Sequence, residues 1–260
     1  MEEVLLQIDE RGVATVRLNR RRAGHALTST MIVRLSEIAT ELATTREVRA
    51  VVLASSGSVF CAGADLNWMK AQFSAPFGER KAEALKLARM LRSWNELPLP
   101  VIARVQGNCY GGALGLVAVA DNVIASRDAS FTFSEVRLGL IPATISPFVI
   151  ARIGVSGARE RMLDASLFSA KTAKGHGLVS RVVEADSIDH AVSESVLRYL
   201  RCSPQAVARA KALIRRQTLQ IDDDLLEMVA TELANCWESA EARHGIDAFF
   251  KNSKPKWNTM

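Results

Sequence analysis

Three short stretches limit what this chain can become: "RAVVLAS" (49–55), "PVIARVQG" (100–107) and "DNVIAS" (121–126). Each is rich in β-branched residues and nearly continuous in apolar character. Strands buried on both faces read this way, and they are typically parallel. Parallel neighbours need long crossovers, usually helical. The intervening segments supply them. "TSTMIVRLSEIATELATT" carries apolar residues at helical spacing after Thr28 or Ser29 as a cap. "GERKAEALKLARMLRSWNEL" repeats the pattern through Leu85, Leu87, Met90, Leu91 and Trp94 and ends before Pro98 and Pro100. "VLLQID" and "VATVRLN" flank an Arg-Gly turn and predict a hairpin, and "SFTF" (130–133) predicts a further short strand. From about Ser203 the pattern is helical, opening with Ser at a cap and Pro in the first turn. The expected class is α/β, with a core over residues 1–200 and a helical region over 201–260.

Composition narrows the function. Charged residues make up 23% of the 260, with a net charge of +5 and no run of five basic residues, so a nucleic-acid role has no basic stripe behind it. A mild positive balance suits an anionic small ligand. Cys61, Cys109, Cys202 and Cys236 form no C-x-x-C pair, and His25, His176, His190 and His244 show no metal spacing, so no metal is expected. No apolar run reaches about 18 residues, the length that a membrane span needs. The opening "MEEVLLQIDERG" is too acidic and too poor in apolar residues for a secretory signal. A reduced, soluble, cytoplasmic protein is expected.

Three loops hold the candidate chemistry. In "SVFCAGADLNWMK" (58–70), small residues Ala62, Gly63 and Ala64 precede Asp65 where a helix can start. Backbone N–H groups at such a start are unpaired. "VIARVQGNCYGGALGL" repeats the design, with Gly111 and Gly112 letting a ligand approach the main chain. One donor from each loop converging on one carbonyl oxygen makes an oxyanion hole. Read alone, either loop is equally a plain turn, with Asp65 as a helix cap. In "FTFSEVRLGLIP" (131–142), Glu135 is a lone carboxylate among Phe131, Phe133, Val136 and Leu138. An apolar setting raises a carboxyl pKa and suits proton transfer. The alternatives are a solvated side chain or an ion pair with Arg137.

Together and in this order, the three loops resemble the enoyl-CoA hydratase/isomerase, or crotonase, superfamily. "VRLNRRRAGHAL", "FSAKTAKGHGLVSRVV" and the tail "AFFKNSKPKW" extend the resemblance over nearly the whole chain. It implies a spiral of ββα turns closed by C-terminal helices, assembled as a homotrimer or a dimer of trimers. It implies an acyl-CoA thioester as substrate, with coenzyme A as part of that substrate and no separate cofactor. Carried over, Ala64 and Gly112 take the positions of the two oxyanion donors. Ala62 borders the adenine pocket, and Gly63, Asp65, Leu66 and Gly111 are further substrate- or CoA-binding positions. Arg22 and Ala23 lie in the N-terminal CoA-contacting loop, and Phe249 and Lys256 in a tail that can close over CoA.

One departure stands out. Two-acid hydratases of the family read Gly-Gly-Gly-x-Glu where this chain reads Gly111-Gly112-Ala113-Leu114-Gly115, so Gly115 marks a missing first acid. The second acid aligns with Glu135. The segment "ATISPFVIARIG" and "FCAGADLNWMK" resemble a bacterial methylglutaconyl-CoA hydratase subgroup, also linked to carboxygeranoyl-CoA. The expectation is reversible hydration of 3-methylglutaconyl-CoA by one glutamate. The alternatives are a 3,2-enoyl-CoA isomerase using the same glutamate as proton shuttle, and an acyl-CoA binder without turnover. A distal substrate carboxylate calls for a cation, with Lys70, Arg104 and Arg137 as candidates. Tyr110, Ser134, Thr144 and Ser146 are the hydroxyls that can help hold a water.

Overall fold

The computed structural model describes residues 2–259. Strands β1 (Val4–Ile8) and β2 (Val13–Leu18) form the expected antiparallel hairpin. Helix α1 (Ser29–Thr44) follows, with the Thr28 hydroxyl capping the Met31 amide at 3.0 Å. It buries Met31, Ile32, Leu35, Ile38, Ala39 and Leu42, the stripe that its 3.6-residue period predicts. The chain then winds through repeated strand–strand–helix turns. The first is β3 (Ala50–Ala54), β4 (Val59–Cys61), α2 (Leu66–Ser74) and α3 (Phe77–Glu96). The second is β5 (Val101–Val105), β6 (Asn108–Tyr110) and α4 (Ala113–Ala118). The third is β7 (Asn122–Ser126), β8 (Ser130–Thr132) and α5 (Ser146–Met162). Then come β9 (Phe168–Ser169), α6 (Ala170–Gly175), β10 (Arg181–Val183), α7 (Ile188–Leu200), α8 (Pro204–Arg216), α9 (Asp223–Glu238) and α10 (Ala240–Phe250).

Two sheets result. The six-stranded one runs β1-β2-β3-β5-β7-β10, parallel except for the hairpin pair. One face packs on α1, α3 and α4 through Leu35, Met90, Leu91, Trp94 and Leu116. On the other, Val52, Ala54, Ile102 and Ile124 meet Ile188, Ala191, Val192 and Val196 of α7. Burial on both faces explains the near-continuous apolar runs of β3, β5 and β7. The four-stranded sheet runs β4-β6-β8-β9, and its strands are only two or three residues long. β4, β6 and β8 are mutually parallel. Their pairing places Cys61 opposite Cys109 and Cys109 opposite Phe131. Burial pushes the Cys61 thiol up to about 12 and Cys109 higher than its ordinary value, so neither supplies a thiolate.

The helices after residue 200 differ in how they pack. α9 lies against α3 and α10. α8 buries none of its residues and exposes Leu213 and Ile214. Ser203 precedes Pro204 as expected, but its side chain makes no capping bond. Among the described residues, no helix is long and apolar enough to cross a membrane, and no group of three His, Cys, Asp or Glu is arranged to hold a metal ion.

Candidate active site

The three candidate loops leave the carboxyl ends of β4, β6 and β8, three neighbours of one parallel sheet. Ligands of open α/β sheets bind at such ends. The sheet register brings together residues that are separated by about seventy positions in sequence.

Ala64 lies beside Leu27 in a parallel bridge. The Leu27 amide donates to the Gly63 carbonyl at 2.7 Å, and the Asp65 amide donates to the Leu27 carbonyl at 2.9 Å. In a parallel ladder the residue between such bonds turns its own N–H the other way. The Ala64 amide accordingly has no hydrogen-bond partner among the described residues. Neither has the Gly112 amide, which precedes α4. The two loops touch. Gly63 has φ +89°, and a Cβ there would lie 2.8 Å from the Tyr110 carbonyl oxygen and 3.6 Å from the Gly112 nitrogen. Only glycine fits that conformation and that gap. Around Gly112 the Cβ position is open, with nothing within 4 Å. Two unpaired donors side by side on an open face are the geometry that a carbonyl oxygen gaining charge requires.

Glu135 enters from the third loop, in a short 3-10 turn spanning Glu135–Leu138. A Cβ on Gly111, at φ +51°, would sit 3.1 Å from Glu135 Oε1 and 3.4 Å from Ser134 Oγ. The missing side chain of Gly111 is what lets the carboxyl reach the loop that carries Gly112. The residue as a whole is half-buried, yet Oε2 is shielded from solvent and has no hydrogen-bond partner among the described residues. Burial raises its pKa from 4.5 to about 7, opposed only by its own backbone amide. No ion pair with Arg137 forms. The turn is braced from behind by α10. A Cβ on Gly139 would meet the backbone of Glu241 and Ala242 at 2.6–2.7 Å, and one on Gly245 the Leu138 carbonyl at 2.5 Å.

Gly115 is sealed. A Cβ there would lie 2.7 Å from both Ile145 Cγ2 and Leu91 Cδ1, two side chains of the main core. The position that the resemblance marks for the missing first acid is filled by packing.

The remaining expected residues divide. Gly24 of the N-terminal loop accepts a bond from the Ala62 amide at 2.9 Å, so the exposed Arg22 and Ala23 lie beside exposed Ala62. Leu66 begins α2 and is 44% exposed. Asp65 caps α2 by accepting from the Asn67 and Trp68 amides, the plain role that the sequence left open. Phe249 packs on Phe250, and the Lys256 amide donates to His244 Nε2 at 3.0 Å. Both are thus held within the C-terminal segment, with no bond to Arg22, Ala23 or Ala62. Arg104 pairs with Asp189 of α7 at 2.5 Å and faces away from the site. Lys70 rests 4.0 Å from the centre of the Phe250 ring, and neither it nor Arg137 has a carboxylate partner among the described residues. The Ser146 hydroxyl is taken by the Ala143 carbonyl at 2.7 Å, whereas Ser134 Oγ lies with Glu135 Oε1 against Gly111. A cleft of about 870 Å³ lies elsewhere, under α8 between Asp121, Arg152 and Lys211, and includes none of these residues.

Sequence reasoning missed two features. Ile145 and Leu91 as the seal over Gly115 had no local signal, since both read as ordinary core. Arg20, beside the expected Arg22, bonds three acceptors at once.

Known proteins match this arrangement along its whole length. The family model for enoyl-CoA hydratase/isomerase covers residues 9–260. The crystal structure of an enoyl-CoA hydratase from Mycobacterium smegmatis is 35% identical, with TM-score 0.81 over 100% of both chains. Human mitochondrial methylglutaconyl-CoA hydratase is 28% identical over 258 residues, 96% of this chain and 74% of the relative. The 1,2-epoxyphenylacetyl-CoA isomerase of Escherichia coli K12 is 27% identical over 260 residues, 99% of each chain. Fold, loops and sequence agree: the chain has the crotonase fold and belongs to the enoyl-CoA hydratase/isomerase family of acyl-CoA enzymes.

Proposed function

We propose that this enzyme reversibly hydrates a branched 2-enoyl-CoA with a distal carboxylate, 3-methylglutaconyl-CoA, and that Glu135 alone moves both protons. The observation that carries this reading is a single buried carboxyl with its pKa raised to about 7, beside two unpaired amides, with the second acid position closed. The thioester oxygen takes the Ala64 and Gly112 amides. Ionised Glu135 accepts a proton from water as the water oxygen bonds to Cβ. The π electrons move toward the thioester oxygen, where fixed donors stabilise the enolate more than the ground-state carbonyl. Protonated Glu135 then delivers its proton to Cα and is again a carboxylate. One water has been added, and the reverse path is dehydration.

Two features favour this substrate. The Ile-Ser-Pro-Phe segment of the hydratase subgroup contributes Ile145, the side chain against Gly115. Arg137 on the glutamate turn and Lys70 on α2 have no carboxylate partner among the described residues, as a cation kept for an anionic acyl group would require. The same reading carries homo-oligomerisation, which Leu213 and Ile214, exposed on α8, support.

The test is a panel of 3-methylglutaconyl-CoA, crotonyl-CoA and a 3-enoyl-CoA, each with wild type and Glu135→Gln and with products identified by mass. The expected result is addition of one water to 3-methylglutaconyl-CoA, reduced by about 100-fold or more in the variant. Double-bond migration without a mass change makes the enzyme an isomerase. CoA binding without turnover on any substrate makes it a binder.

A further inference from the structure

We propose that Arg20 is a positioning residue: its guanidinium fixes the direction of the Ala64 amide, so its loss falls on charge developing at the thioester oxygen rather than on affinity for CoA. This rests on the reading of Ala64 and Gly112 as paired oxyanion donors.

The guanidinium points three ways. It bonds Glu3 Oε1 at 2.8 Å, Asp65 Oδ2 at 3.0 Å and the Ala26 carbonyl at 2.6 Å. Its side chain is 20% exposed and that of Asp65 11%. Ala26 and Asp65 are the two ends of one ring. Ala26 precedes Leu27, and Leu27 bonds on either side of Ala64, to Gly63 and to Asp65. The other Asp65 oxygen, Oδ1, is held by the Asn67 and Trp68 amides at 2.9 and 3.2 Å. Arg20 therefore closes a loop of bonds around Ala64, whose own amide is the one left pointing outward. Three acceptors in three directions need a planar fork; an ammonium cannot match them.

The same residue's backbone serves a different purpose. Its N–H donates to His25 Nδ1 at 3.1 Å and its carbonyl accepts from the Ala23 and His25 amides at 3.0 and 2.9 Å. Those bonds, with the one from Ala62 to Gly24, shape the loop of Arg22 and Ala23 without the guanidinium. Removing the guanidinium thus loosens the Ala64 side and leaves the CoA side in place.

The experiment compares wild type with Arg20→Met, Arg20→Lys and Asp65→Asn. Calorimetry measures affinity for CoA, which has no thioester carbonyl. Near-ultraviolet absorbance measures binding of a 3-ketoacyl-CoA as its enolate. In Arg20→Met, enolate affinity and kcat should fall roughly 10- to 100-fold, with CoA affinity within about 3-fold of wild type. Arg20→Lys should recover part of the loss. Asp65→Asn removes the charge partner while its amide oxygen can still cap α2, so it carries the same test if Arg20→Met does not fold. Equal losses for CoA and enolate, or none for the enolate, overturn the assignment. If wild type itself shows no preference for the 3-ketoacyl-CoA over CoA, the oxyanion reading falls and takes this role with it.

Discussion

Glu135→Gln tests the environment of the glutamate without any substrate. Burial moves the carboxyl from 4.5 to about 7 in the folded chain, while the unfolded chain keeps the ordinary value. Between these two values the folded state holds a proton that the unfolded state has lost. Stability must then fall as pH rises, by about 1.4 kcal/mol per pH unit, and level off above the folded value. Integrated between pH 5 and pH 8, the loss due to this one group is about 2.5 kcal/mol. Glutamine has no proton to lose, so the variant lacks this slope. Its buried amide carries a penalty of about 1–3 kcal/mol, but that penalty is the same at every pH. The assay is urea unfolding of both proteins at the two pH values, at one salt and one protomer concentration. With a slope near 3 kcal/mol per molar, the variant should gain roughly 0.8 M in midpoint relative to wild type on going from pH 5 to pH 8. Midpoints that move in parallel across this range would refute the reasoning, because the carboxyl would then titrate alike in both states.

The same ionisation should govern catalysis, with the opposite sign. In the proposed mechanism the carboxylate form starts hydration and dehydration alike, so kcat/KM in either direction should rise about tenfold per pH unit below about 7 and reach a plateau above it; a flat profile between pH 5.5 and 8.5 counts against Glu135 as the base. Gly115→Ala should lower stability by about 1–2 kcal/mol in thermal unfolding, since overpacking costs about 1–3 kcal/mol and better helix propensity returns about 1 kcal/mol or less. Gly115→Glu should destabilise further and not speed hydration. A stable, faster Gly115→Glu enzyme would show that the position still has room for an acid.

The long elements were legible because each has one dominant cause. Burial on both faces wrote itself into β3, β5 and β7 as unbroken apolar runs, and the one-sided burial of α1 and α3 appears as helical periodicity. Of the second sheet only β8 was legible, as "SFTF". Three residues such as Val59–Cys61 or Asn108–Tyr110 are too few to show any period, and their pairing is fixed by the spiral that the longer strands impose. The Ser203-Pro204 start was read correctly in place but not in detail, as proline in the first turn sufficed without the hydroxyl bond. The Arg104 carboxylate-binding option failed for a similar reason. Its partner Asp189 lies 85 residues on, beyond the reach of any local pattern.

Residue types at the site were legible, whereas what surrounds them was not. Glycine at 115 reads from sequence as a lost acid, and a lost acid leaves open whether the pocket is damaged or redesigned. Packing distinguishes the two. A deleted side chain that leaves a cavity costs stability in proportion to the volume left behind. Here Ile145 and Leu91 come within 2.7 Å of where a Cβ would be, so no such volume remains. Ile145 belongs to the Ile-Ser-Pro-Phe segment, and it stands one residue before α5. Gly115 and the segment at 145–148 are therefore packed as one wall, with Ile145 closed over the glycine. With that wall in place, the proposed proton transfer falls to Glu135, whose carboxyl reaches the loop of Gly111 and Gly112. The packing thus supports the proposed single-acid mechanism, and the buried carboxyl with its raised pKa is equipped to carry it.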